Sequence, residues 1–148
     1  MNDVFRDVLG RMLGRRPAVL QVGAVCVRPS DGRILLITSR GTGRWIIPKG
    51  WPMTGRSAAA AAMQEAWEEA GVRGSVSARP LGRYRYNKRH DGMLSVPIDV
   101  QVHRVQVDRL EDDFPEAAER ERGWFSPREA AGHVSEEELR DILLGLHR

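Results

Sequence analysis

The chain has a single cysteine, two lysines and few aromatic residues, and each scarcity narrows what it does. Cys26 stands alone in an apolar run, which excludes a disulfide framework and a thiolate metal site and reads as a core residue. No run approaches the roughly 20 apolar residues that span a bilayer. Asp3 and Asp7 interrupt the apolar residues at the N-terminus, where a secretory signal would carry an unbroken hydrophobic stretch. The expectation is a cytoplasmic protein with no membrane partner. Lysine occurs only at Lys49 and Lys88 among 23 basic residues, so arginine carries the rest of the positive charge. Its planar fork suits bidentate phosphate binding, although genome composition produces the same bias. There is no long basic run and no RNA-binding signature, so nucleic acid is not the expected partner. The net charge of +3 fits a small polyanionic ligand as well.

What is present is the composition of one ordinary folded domain over residues 1–148, with no repeats and no interdomain linker. Val4, Phe5, Val8, Leu9, Met12 and Leu13 recur with helical spacing, which predicts an amphipathic helix within 1–16 that packs on the domain or on a second copy in a homodimer. A β-rich run from Ala18 to Arg28, a Ser30-Asp31-Gly32 turn and a second run from Arg33 to Ser39 predict a hairpin. Trp45-Ile46-Ile47 reads as a short strand stopped by Pro48, and Lys49 to Arg56 as a loop. Ser57 is the expected N-cap of a helix ending at Gly71, with Ala59, Met63, Ala66 and Ala70 as its packing stripe. Ser75 to Tyr86 and Leu94 to Val107 read as two strands about a polar tip. An acidic loop from Asp108 to Glu121 precedes a short strand from Arg122 to Phe125. Helix starts at Ser126 and Ser135 complete the order.

The central helix carries Glu65, Glu68 and Glu69, whose i, i+3, i+4 spacing gathers three carboxylates on one face. Like charges at that spacing repel, whereas a hard divalent cation converts the repulsion into coordination and also holds substrate phosphates. By themselves the three residues describe a solvated acidic face equally well. The expected arrangement sets them opposite the alanine stripe, one face packing on a sheet and the other presenting carboxylates to a cleft.

Upstream context changes that reading. From Gly50 the spacing is five residues to Arg56, then seven residues to Gln64-Glu65-Ala66-Trp67-Glu68-Glu69-Ala70-Gly71-Val72. Residues 50–72 resemble the Nudix box, a glycine, five residues, glutamate, seven residues, then Arg-Glu-aliphatic-any-Glu-Glu-any-Gly-aliphatic. The flanking order of elements is similar to the Nudix fold over most of the chain. The resemblance implies an α+β fold, an α/β/α sandwich about a mixed sheet, and a Mg²⁺- or Mn²⁺-dependent enzyme that splits a pyrophosphate linkage by attack of water at phosphorus. On the matching positions it implies Glu68 and Glu69 as principal metal ligands, Glu65 as a further ligand or the general base, and Gly50 as a carbonyl ligand. A late-chain acid often completes such sites, for which Glu119 and Glu121 are the candidates; as a solvated charge run they would have no role.

Two positions depart from the box. Arg56 stands where the family has glutamate and Gln64 where it has arginine, a pair that braces loop against helix. Both are changed together, so neither leaves an orphaned charge, and a non-catalytic nucleotide sensor stands as the alternative. Arg40-Gly41-Thr42-Gly43-Arg44-Trp45 leading into Pro48-Lys49-Gly50 resembles the diphosphoinositol polyphosphate phosphohydrolase branch, which implies that Arg40 reaches phosphate. Arg83, Arg85, Lys88 and Arg89 lie where that branch places further phosphate-binding bases. With Arg40 and Lys49 they would rim an acidic centre and suit a dinucleoside polyphosphate or a diphosphoinositol polyphosphate. The same arginines also fit an outward-facing strand row. ADP-ribose and the 5′-triphosphate end of an RNA remain open as substrates of the same centre. Trp51, Tyr84 and Tyr86 read either as base-stacking or as packing aromatics.

Overall fold

A single mixed sheet with helices on both faces emerges in the computed structural model, which describes residues 18–88 and 95–146. The helix expected within 1–16, and Arg89, lie outside these residues. The strands are β1 (Val19–Val27), β2 (Ile34–Thr38), β3 (Trp45–Ile46), β4 (Lys49–Gly50), β5 (Val72–Lys88), β6 (Val96–Leu110) and β7 (Arg122–Phe125). The helices are α1 (Ala58–Ala70), α2 (Pro127–His133) and α3 (Glu137–Gly145). The sheet runs β3-β2-β1-β6-β5, with β4 paired to β1 and β7 to β2. β1 and β6 are parallel and every other pair is antiparallel, as the mixed sheet of the expectation requires.

Alternation along β1 builds two cores at once. Val22, Ala24 and Cys26 face one way and pack with Ala61, Ala62, Ala66 and Ala70 of α1. Val25 and Val27 face the other way and pack with Ala130, Ala131, Val134, Leu139 and Leu143 of α2 and α3. The sheet is therefore sandwiched between α1 and the C-terminal helices. Small residues on α1 let it lie close to the sheet, which brings its polar positions within reach of β4.

Three differences from the sequence expectation have local causes. Pro48 interrupts the β3–β4 segment but does not end it: Lys49 and Gly50 resume pairing, opposite Gly23 and Val22 of β1. β5 begins at Val72, directly after the helix, because its partner β6 extends to Leu110 and offers a ladder that far. The acidic stretch after β6 is a loop containing one 3₁₀ turn, Ala117–Glu119. The two capping signals at the C-terminal end differ in outcome. Ser126 and Glu129 form a reciprocal capping box on α2, whereas α3 starts after Glu136 without a side-chain cap.

Gly71 ties α1 to the loop behind it. Its φ of 71° gives the left-handed cap, its N–H bonds to Trp67 O at 2.9 Å, and its carbonyl accepts from Glu111 N at 2.8 Å. A Cβ there would lie 2.6 Å from the Glu111 carbonyl oxygen, which is backbone and has little room to give. Gly71→Ala is expected to destabilise by about 1 kcal/mol for the left-handed backbone and further for the clash, read as a lower urea midpoint. An unchanged midpoint would show that the cap is not under this constraint.

Candidate metal centre

Helix α1 places its glutamates differently from one another. Ser57 Oγ accepts from Ala60 N at 3.1 Å and fixes the first turn. From there Glu65 and Glu69, one turn apart, fall within the buried arc alongside Ala62 and Ala66, while Glu68 sits at the arc's edge. Glu65 and Glu69 are 9% and 8% exposed, so they are core residues as much as the alanines. The expectation of carboxylates opposite the packing stripe is thereby corrected: two of the three border the stripe and share its burial. The cause is that α1 lies close enough to the sheet for about half its circumference to be covered.

Gly50 is what makes room for Glu65. A Cβ on Gly50 would lie 2.3 Å from the Glu65 carboxyl carbon, so the carboxyl fills the space a side chain would occupy. β4 thus presents bare backbone to the acid. Glu69 accepts from the Lys49 backbone N–H at 3.3 Å and faces Arg120 at 3.5 Å. Glu68 is turned to Gln64, whose Nε2 donates to Glu68 Oε2 at 2.7 Å. Among the described residues no three Asp, Glu, His or Cys side chains converge as a ready cage.

The electrostatics of the pair follow from this burial. The Glu65 carboxyl is pushed up to about 8, first by burial and then by the charges of Glu69 and Glu68. Glu69 is raised as well, chiefly by burial, with Arg120 and Lys49 opposing. Two carboxyls this close in a dry wall do not both ionise freely near neutrality. Hard oxygen donors that burial keeps from ionising together, and a backbone cradle at Gly50, are the chemistry a divalent cation such as Mg²⁺ takes up, so the residues present fit one.

Around the pair opens a cleft of about 270 Å³. Arg40, Lys49, Lys88 and Arg120 line it with positive charge, and Trp51, Tyr86 and Gln21 complete it. Burial holds the Lys49 ammonium below its ordinary value, with Glu69 opposing that shift, and it sits 5.2 Å from the centre of the Tyr86 ring. Tyr86 in turn donates from its hydroxyl to Gln21 at 2.8 Å. Tyr84 is 1% exposed and packs in the core, so of the three aromatic residues named from sequence only Trp51 and Tyr86 reach the cleft.

Arg83 and Arg85 are not brought there. Strand alternation sends them to the face opposite Tyr84 and Tyr86, where Arg83 bonds to Gln101 at 3.2 Å and Arg85 to Asp99 at 2.8 Å. Glu119 stands at the cleft edge in an ion pair with Arg40 at 3.0 Å, and the Glu121 side chain is exposed. A second buried base of the site, beside Lys49, is one that the sequence did not flag. The Arg120 side chain is 5% exposed and donates to Glu116 at 2.8 Å and to the Thr38 carbonyl at 3.0 Å, while facing Glu69. Its position between Glu119 and Glu121 makes it look like one charge in a mixed surface run, and no spacing signal separates it from them.

A carboxyl whose folded-state value lies above its unfolded one adds stability below the unfolded value and loses it as pH rises through the folded one. With Glu65 near 8, the metal-free protein is expected to melt at falling temperature between about pH 5 and pH 8.5, and Glu65→Gln to flatten that slope. Thermal melts in a chelator at both ends of the range test this; parallel slopes for the two proteins would refute the raised value.

The fold and site have counterparts among known proteins. A family model described as NUDIX domain matches residues 17–143. Nudix hydrolase 4 of Arabidopsis thaliana is 34% identical over 99 residues, which are 66% of this chain and 45% of that protein, so the chain spans under half the length of this relative. Among solved structures, the MutT protein from Methanosarcina mazei Go1 superposes with a TM-score of 0.62 at 19% identity, covering 88% of this chain and 94% of that one. C. elegans Ap4A hydrolase superposes at 0.58 and 18%, covering 86% and 95%. A MutT protein from Bacillus halodurans does so at 0.63 and 17%, covering 87% and 82%.

Proposed function

The chain belongs to the NUDIX domain family, and from that membership we propose a metal-dependent hydrolase that splits a pyrophosphate bond in a polyphosphate-rich substrate. The observation that carries this reading is the buried Glu65–Glu69 pair against bare backbone at Gly50, ringed by four basic side chains. Residues 1–148 are taken as one such domain. Glu65, Glu68, Glu69 and the Gly50 backbone are proposed to hold Mg²⁺ or Mn²⁺. When bound, the ion neutralises phosphate oxygens and makes a water more acidic.

The chain's own groups do the rest. Arg40, Lys49 and Lys88 bind phosphate oxygens along the cleft and set the P–O–P link over the carboxylates. Arg120 stays fastened to Glu116 and Thr38 and adds fixed positive charge beside Glu69. Once the pair is ionised, the Glu65 carboxylate accepts the proton of the attacking water. The new O–P bond forms as the bridging P–O bond breaks, and the electron pair leaves on the departing phosphate oxygen. Each product carries one terminal phosphate.

The charge balance supports the substrate class. Besides the committed Arg120, three basic groups line a cleft with two buried acids, so phosphates beyond those at the reacting centre find partners. A dinucleoside polyphosphate or a diphosphoinositol polyphosphate has such phosphates, whereas ADP-ribose has only the two being separated. Trp51 and Tyr86 offer flat apolar surface to a base. Arg56 donates to Gln64 at 3.2 Å, so the loop–helix brace whose loss would motivate a non-catalytic sensor is still made.

Glu65→Gln, Glu68→Gln and Glu69→Gln are each expected to lower kcat roughly 100- to 10,000-fold with the fold intact. The assay is phosphate and nucleotide release with Mg²⁺ or Mn²⁺, and full turnover in Glu68→Gln and Glu69→Gln together would defeat the reading. A panel of diadenosine polyphosphates, inositol pyrophosphates, ADP-ribose and triphosphate-ended RNA is expected to favour the first two, with Lys49→Met raising KM most for them. Preference for ADP-ribose would remove the polyphosphate assignment, and tight binding without product would leave a sensor.

A further inference from the structure

Two arginines flank the loop between β2 and β3, and they are held very unequally. Arg44 Nη1 donates to Ser135 Oγ at 2.8 Å and to Glu136 Oε2 at 3.0 Å, at the start of α3. The Glu136 side chain is only 8% exposed there. Arg40 lines the cleft and donates to Glu119 at 3.0 Å, in a pair whose two side chains are both exposed. A charge-assisted bond to a buried carboxylate is strong, whereas an exposed pair is screened and contributes little. Arg44 therefore stays fastened under conditions in which Arg40 exchanges Glu119 for another anion. Glu136 gives something up for this contact. It is the N-cap residue of α3 yet makes no side-chain cap, and its Oε1 is buried with no hydrogen-bond partner among the described residues.

Between the two arginines the loop is tied into one piece. Ser39 N donates to Arg44 O at 2.8 Å and Gly43 N to Ser39 O at 3.0 Å. The Ser39 and Thr42 hydroxyls share a hydrogen bond, and Gly43 takes a φ of 70° to close the turn. On the β2 side the loop is anchored at Thr38, which donates to Glu121 O at 3.1 Å and accepts from Arg120 at 3.0 Å. On the β3 side the anchor is the Arg44 side chain. We propose that Arg44, gripped by Ser135 and Glu136, is a positioning residue that sets the loop so that Arg40 meets a substrate phosphate beyond the two at the reacting link. This rests on the reading of Arg40 as a phosphate ligand. Arg44 does not line the cleft and its donors are engaged elsewhere, so it acts through Arg40. A loop fixed beforehand need not be ordered when the phosphate arrives, which strengthens binding.

The test is calorimetry on the full chain with Mn²⁺ and two probes that water does not split at their links. One is diadenosine tetraphosphate with methylene in place of each bridging oxygen, and the other is α,β-methylene ADP. Arg44→Met and Arg40→Met are each expected to weaken the longer probe roughly tenfold. Melting temperature and affinity for the shorter probe, which has no phosphate beyond the link, are expected to change little. In an Arg40→Met background, Arg44→Met is expected to add little, because the group it places is gone. Glu136→Gln keeps an oxygen for Arg44 without the charge and is expected to fall between wild type and Arg44→Met. Loss in Arg40→Met with none in Arg44→Met would overturn the positioning role alone, as would equal loss of both probes in Arg44→Met. Undiminished affinity in Arg40→Met would overturn the phosphate reading beneath it.

Discussion

Two carboxylates buried side by side in a wall of alanine and bare backbone are the constraint on which the rest of this structure turns. Their burial is costly, because a dry environment opposes each charge and the charges oppose each other. The protein does not relieve the cost with a matched ion pair. Arg120 approaches Glu69 at 3.5 Å but is itself committed to Glu116 and the Thr38 carbonyl, and the Glu65 carboxyl is left pushed up to about 8. A fold that retains such an imbalance is strained in favour of something that arrives with positive charge.

The surrounding architecture follows from keeping that pair in place. Small side chains on α1 are required so that the helix lies near enough to β1 and β4 for its acids to reach strand backbone. Glycine at position 50 is required because the Glu65 carboxyl fills the volume of any side chain there. Gly71 ends the helix in time for the chain to enter β5, and Arg122 donates to the Ala70 and Glu111 carbonyls, closing the C-terminal end of the helix against the loop. These features look like ordinary packing one at a time. Together they hold one buried acid against one stretch of backbone.

How much was legible in advance depends on whether the determining contact is local. The α1 boundaries and the capping box of α2 could be read because caps and turns act within a few residues, whereas the mixed sheet was implied only by the family resemblance. The spacing of Gly50, Glu65 and Glu69 was equally readable, as a motif. Their burial was not, since helical periodicity says which residues share a face but not how wide an arc the sheet will cover. Arg83 and Arg85 show a second limit. Matching the positions where the resembling branch places phosphate-binding bases did not decide on which side of β5 they fall, and the strand's alternation gave the cleft to Tyr86 and Lys88 instead. Arg120 shows a third: its burial depends on contacts with Thr38, Glu69 and Glu116, which sequence distance conceals.

The distribution of basic residues adds a last step. Arginine predominates across the chain, yet its only two lysines, Lys49 and Lys88, both line the cleft. The difference in chemistry suits their positions. Arginine's rigid fork is matched to fixed partners, and Arg85, Arg120 and Arg122 each use it that way, the first two bonding two oxygens and Arg122 three. A lysine ammonium is a compact charge on a flexible stem whose donors rotate, so it would suit the proposed substrate, a phosphate chain whose oxygens shift as a bond within it breaks. Lys49 is further shaped by its place, buried over the Tyr86 ring, where burial lowers its ammonium below the ordinary value and the charges of Glu69 and Glu136 oppose that shift. A buried acidic pair and a buried ammonium thus stand in one cleft, which is why the proposed reading pairs a cation with a polyphosphate there.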